Sequence, residues 1–196
     1  MRNYLFAVAV TVAMPAAMLA GCGGSSTPLF YTLDATAAAR GMPATRGTIV
    51  VNPVTVPAGV DQPQFVTDAG PNQVAIDEFN RWAAPLNDSI ARVVAQNLTT
   101  LLGTPTVANQ LPNLTPDYVV AIAVQRFRST RGQGTALDAV WTVRSTNRNL
   151  MRTGRTTATE GVADDTFTAL ASAHSRELAK LSDDIAAAIQ SEAEQR

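Results

Sequence analysis

Asp117-Tyr118-Val119-Val120-Ala121-Ile122-Ala123-Val124-Gln125 decides how the chain folds. Tyr118, Val120, Ile122 and Val124 fall on every second position, and Val119, Ala121, Ala123 and Gln125 fall between them. Period two in a β-branched run is the pattern of a strand with two unequal faces. Arg131-Gly132-Gln133-Gly134 supplies turn residues, and Ala136 to Arg144 returns with Leu137, Ala139, Trp141 and Val143 on one side. A second turn at Ser145 to Asn149 leads into a third, more polar strand from Leu150 to Glu160. Asp164-Asp165-Thr166 then offers capping oxygens for a long helix. Along it Phe167, Leu170, Ala171, His174, Leu178, Leu181, Ile185 and Ile189 step by three and four to about Glu192.

Upstream, Pro85 to Leu102 repeats the helical spacing through Leu86, Ile90, Val93, Val94, Leu98, Leu101 and Leu102, with Gly103 as the stop. Before it, strands are expected at Phe30 to Leu33 and Gly47 to Val56. Pro53 and Pro57 suggest an edge or a turn for the second. Shorter extended pieces are expected at Gln64 to Thr67 and Gln73 to Ile76. Strands, helix, strands and helix make an α+β single domain, a largely antiparallel β-sheet packed by two main α-helices. No internal repeat is apparent.

The first 21 residues are of another kind. Met1-Arg2-Asn3 is basic, Tyr4 to Ala20 is uncharged and apolar, and Leu19-Ala20-Gly21-Cys22 matches the bacterial lipobox. Residues 1–21 read as a lipoprotein signal peptide, 22–28 as the lipidated N-terminus and tether, and 29–196 as the domain. The competing reading is an uncleaved membrane anchor, for which the run is slightly short and broken by Pro15. Cys22 is the only cysteine, and attachment of lipid (palmitate among its chains) accounts for a lone thiol in an oxidising compartment. Gly23, where some sorting systems place a retaining aspartate, favours the periplasmic face of the outer membrane. The whole chain has 15 basic and 16 acidic side chains, so losing Arg2 takes the net charge from −1 to −2. Nucleic acid is not an expected partner.

Enzyme signatures are missing. The one histidine, His174, lies on the apolar stripe of the last helix, where packing is a better account than catalysis. Ser172 and Ser175 have no nucleophile elbow around them. One lipidated cysteine and one histidine cannot build a zinc site, so no metal, cofactor or catalytic residue is expected. Arginine does cluster: Arg126, Arg128 and Arg131 close one strand, and Arg144, Arg148, Arg152 and Arg155 follow. A meander is expected to gather these at one end of the sheet, either as a basic patch for a partner or lipid headgroups, or as a solvated surface balanced by carboxylates.

Several segments together resemble the ABC-type transport auxiliary lipoproteins, the family of paraquat-inducible protein C. They are Phe30-Tyr31-Thr32-Leu33, Val51 to Pro57 running into Asp61-Gln62-Pro63-Gln64, Phe79-Asn80-Arg81-Trp82-Ala83-Ala84-Pro85-Leu86, Arg126-Phe127, and Leu181 to Ala186. The resemblance implies a non-enzymatic docking component for an MCE-domain protein and its ABC permease and ATPase, moving lipid across the envelope. MCE proteins form rings, so a homo-oligomeric ring is a further expectation. Arg81 and Trp82 join Arg126, Arg128 and Arg131 as candidate partner-binding residues, since Arg and Trp are favoured interface anchors. Fixing the entry to the first helix is the better account of Trp82 and Pro85, as fixing a turn is of Asp61-Gln62-Pro63. The remaining alternatives are a free-standing periplasmic carrier of a lipid or other hydrophobic ligand, and an envelope hydrolase, against which the missing catalytic groups count heavily.

Overall fold

A computed structural model of the chain describes residues 27–41, 44–108, 115–148 and 150–194. Cys22 and residues 1–21, expected to be a signal peptide, lie outside them. In chain order the elements are β1 (Leu29–Tyr31), β2 (Ile49–Val51), β3 (Gln64–Gly70), β4 (Gln73–Trp82), α1 (Leu86–Leu102), β5 (Thr106–Ala108), β6 (Tyr118–Thr130), β7 (Gly134–Ser145), β8 (Leu150–Gly161) and α2 (Phe167–Glu194). The α+β class with two main helices stands as expected. The strands, however, divide between two sheets. One has the order β1-β4-β3 and the other β5-β2-β6-β7-β8.

In the five-stranded sheet β6, β7 and β8 form the expected antiparallel meander, while β2 runs parallel to both β5 and β6. β2 is therefore interior, not at an edge. Ile49, Val50 and Val51 are all buried, and Pro53 falls just after the last paired residue, where its missing N–H costs no ladder bond. Beyond it the chain stays beside β6: Thr55 N–H donates to Ile122 O at 3.1 Å, and Val124 N–H donates back to Thr55 O at 2.9 Å. In the smaller sheet β3 and β4 form an antiparallel hairpin, and β1 adds in parallel at the far end of β4. The strand expected to end at Ile76 continues to Trp82, because β1 supplies a second partner for its last residues.

Both helices lay their apolar stripes on the core. α1 buries Leu86, Ile90, Val93, Val94, Leu98, Leu101 and Leu102. Pro85 stands just before it with extended backbone, and Gly103 closes it at φ 61°, a left-handed conformation that glycine adopts without a Cβ penalty. At the start of α2 the cap is Thr166. Its hydroxyl oxygen accepts from Ala169 N–H at 3.1 Å, while Asp164 accepts from both Thr166 N–H and Thr166 Oγ1. Between the helices Asn97 Nδ2 donates to Ser182 Oγ at 3.2 Å, and Asn97 Oδ1 accepts from Ala37 N–H at 3.0 Å. Arg92 donates to Leu33 O at 2.9 Å. Asp34 N–H also donates to Ser175 Oγ of α2 at 3.1 Å, so the segment Leu33 to Ala37 is strapped across both helices. The buried Asn97 and Ser175 would each cost ~1–3 kcal/mol if left without a partner.

A further chain of hydrogen bonds ties the meander to α2. Trp141 Nε1 donates to Thr156 Oγ1 at 3.0 Å, and that hydroxyl donates to Asp184 Oδ2 at 2.5 Å. The indole lies across the partner strand at Gly154, its register neighbour, and a Cβ there would fall inside the ring. Gly154→Val is expected to force Trp141 out of place and lower stability by ~1–3 kcal/mol in urea unfolding. Gly59→Val, where a Cβ meets nothing within 4 Å, is expected to change it far less.

Candidate functional site

The two segments Asp61-Gln62-Pro63 and Trp82 to Leu86, distant in sequence, meet in space. Trp82 N–H donates to Pro63 O at 2.7 Å and Ala83 N–H to Tyr31 O at 2.9 Å. Together they line a largely apolar depression of about 390 Å3. Trp82 is not an exposed anchor. It is 6% exposed and stacked on Phe65 with 4.3 Å between ring centroids, so as an interface residue it is corrected to a core one. The physical reason is the aromatic cluster behind it: Tyr31, Phe65, Phe127 and Phe167 offer the indole more apolar contact than a surface can. Arg81, on the opposite side of β4, is half-buried. Its Nε donates to Glu78 O at 2.8 Å and its Nη2 lies 3.4 Å from the Glu78 carboxylate.

The arginines do not gather at one end. Each hairpin reverses direction, so the β6–β7 turn and the β7–β8 turn lie at opposite ends of strands 12 or 13 residues long, a separation of roughly 40 Å. Arg128 and Arg131 sit at the first end. Arg128 Nη2 lies 2.6 Å from Asp68 Oδ2, which also accepts from Thr130 Oγ1, so this pair joins β6 to β3. Arg131 donates to Asp165 O at 2.9 Å and lies over the Phe167 ring, 5.0 Å from its centroid. These side chains and Thr67 line a polar cleft of about 830 Å3. At the other end Arg148 donates to Glu192 O at 2.9 Å and Arg152 pairs with the Glu192 carboxylate. Midway, Arg155 is bidentate on Asp138 and holds that carboxyl below the usual range; exposed Arg126 stands opposite Asp138 in the register and adds to the effect. The surface is largely one of compensated charge; among the described residues of the meander, Arg126 and Arg144 are exposed cations outside these ion pairs.

One buried polar cluster was legible only in part. His174 lies on the apolar stripe as expected and is fully buried, with the Phe127 ring stacked on it at 3.7 Å and 11°. Its Nδ1 lies 2.9 Å from Glu177 Oε2 and its Nε2 lies 2.8 Å from Ser129 Oγ. A carboxylate only accepts, so Nδ1 carries the proton and Ser129 donates to Nε2. Hydroxyl, imidazole and carboxylate stand in the order of a hydrolase relay. Yet Ser129 is 2% exposed and Glu177 fully buried, which seals the hydroxyl from any substrate. The cluster fastens α2 to β6. Burial pushes the imidazole below its ordinary pKa, with Glu177 opposing.

The family model described as "ABC-type transport auxiliary lipoprotein component" matches residues 31–186. The chain belongs to that family. A crystal structure of an uncharacterized protein shares the fold at TM-score 0.69 and 19% identity, covering 84% of this chain and 99% of its own. A Xanthomonas campestris protein does so at 0.70 and 15%, covering 86% and 99%. No curated protein matches the sequence. The match spans both sheets and both helices, so the depression between Pro63 and Pro85 and the Ser129–His174–Glu177 cluster both lie within the family domain.

Because the folded chain disfavours the imidazolium, the unfolded chain takes up a proton near pH 6.5 that the folded chain refuses. The stability linked to His174 is complete above that pH and falls as the pH drops below it. Urea unfolding between about pH 5 and 8 is expected to show this loss in the wild type, and a flat profile over the same window in His174→Gln. The carboxylates held low by ion pairs, Asp138 and Glu160, titrate at lower pH and leave that window clear.

Proposed function

We propose that this chain is lipidated at Cys22 after removal of residues 1–21, sits on the periplasmic face of the outer membrane, and docks an MCE-domain protein of a lipid transporter whose ABC permease and ATPase supply the energy. The role is non-enzymatic: an anchored adaptor. The observation that carries the reading is the family match over residues 31–186. The lipobox at Leu19–Cys22 and Gly23 after it support the anchor and the membrane. The sealed Ser129 hydroxyl fits a packing role better than a hydrolase relay. The free-standing carrier gains less support, since Ile90, Leu98, Leu178, Leu181 and Ile185 form one continuous buried cluster between helices and sheet. Assembly into a ring is part of the proposal, because a ring-shaped partner is matched most simply by a symmetric adaptor.

Intact mass of the protein purified from membranes is expected to start at Cys22 and carry acyl chains. Cys22→Ala is expected to abolish palmitate labelling and leave the leader attached. Outer- and inner-membrane fractions then report the location. Capture of the MCE-domain protein from the same bacterium is expected with the acylated wild type, and Arg126→Glu is expected to weaken it about tenfold if the arginine face contributes. No capture by a folded, acylated wild type would remove the docking role.

A further inference from the structure

The three-stranded sheet turns apolar side chains to solvent. Phe65 and Thr67 of β3 face the core, so Val66 faces away from it, and Ile76, its register partner on β4, does the same. Ile76 is 50% exposed and Val74, two residues back on the same side, 56%. On β1, Tyr31 and its partner Trp82 point inward, so Phe30, paired with Arg81, points outward and is 63% exposed. Phe79 is exposed beside them, while Leu29, which has the parity of Tyr31, is exposed at the start of the strand on the other side. Phe79 is held out by a built turn: Asp77 Oδ1 accepts from Phe79 N–H at 2.9 Å, Asn80 N–H at 2.8 Å and Asn80 Nδ2 at 2.9 Å. A lone exposed apolar residue needs no explanation, but four on one face of a small sheet do.

β1 runs parallel to β4. The chain therefore enters β1 from the end of β4 that carries Phe79, Ile76 and Val74, and seven residues earlier stands Cys22. Seven residues reach at most ~25 Å when fully extended. Resting on the anchor reading above, we infer that this apolar face lies in the bilayer interface to which Cys22 is attached, with Phe30, Ile76 and Phe79 among the acyl chains and headgroups. An acyl anchor alone leaves a domain free to swivel; an apolar face beside the anchor fixes one orientation. Arg81 and Glu78 compensate each other on this face, so the contact is apolar and insensitive to anionic lipid and salt.

The lone native cysteine makes the test clean, because acylation blocks its sulfur. Single cysteines are placed at Phe30, Ile76 or Phe79 in the full acylated chain, and at two controls: Thr100 on α1, and Met151 of β8, apolar and equally exposed but on the other sheet. Each is labelled with a polarity-sensitive fluorophore and reconstituted into phosphatidylethanolamine–phosphatidylglycerol vesicles. The expected result is a blue shift, and loss of emission with nitroxide-labelled lipid, at Phe30, Ile76 and Phe79 and not at Thr100 or Met151, unchanged by salt. Water-like emission at all five positions overturns the inference. So does a blue shift without lipid quenching, which would seat a second copy or another protein on the face. An intact mass without acyl chains would overturn the anchor reading and this one with it, whereas an acylated mass with water-like probes removes only this one.

Discussion

Between Val124 and Arg126 the register of β6 against β7 slips, and the inward face of β6 changes parity. Up to Val124 the even positions are buried; after the bulge Phe127 and Ser129 are, while Gln125, Arg126 and Arg128 face out. The same sequence paired without the slip would drive two guanidinium groups into the core and expel a phenyl ring. The junction between the sheets hangs on this slip. Phe127 stacks on His174 and touches Trp82, Ser129 reaches the imidazole, and Arg128 swings out to the Asp68 carboxylate of the smaller sheet. One backbone irregularity therefore fixes both how α2 is fastened and how the two sheets meet.

The junction is aromatic at its centre and ionic at its rim. Trp82, Phe65, Phe167 and Tyr31 form a continuous set of ring contacts, with Arg131 stacked at its edge. Apolar burial supplies the affinity between sheets, about 1.5–3 kcal/mol per large side chain. The exposed ion pairs add less, and chiefly set orientation.

Where local chemistry decides structure, the sequence was readable. Pro85 and Gly103 bracket α1 within a residue, and the two-residue rhythm from Tyr118 locates β6. The division into two sheets was not readable, because β1, β2 and β5 are three-residue strands that pair in parallel and owe their existence to partners far along the chain. The part of β4 beyond Ile76 hid for a different reason: Phe79 faces out while Asp77 and Asn80 face in, inverting the usual pattern. Trp82 beside an arginine suggested an interface, and only the arrival of Phe65 from β3 makes it core. The gathering of arginines at one end was an error of direction that counting hairpins corrects. His174 was read rightly as packed, but Ser129 and Glu177 could not be matched to it, since the first pairing spans 45 residues.

The last helix has a mechanical meaning as well. Its 28 residues make a rod of about 42 Å. Arg131 clips Asp165 just ahead of its first turn, and Arg148 and Arg152 grip Glu192 in its last. A rod pinned at both ends to successive hairpins of one sheet works as a brace. Tension applied at one hairpin is carried along α2 to the other rather than peeling the strands apart one hydrogen bond at a time.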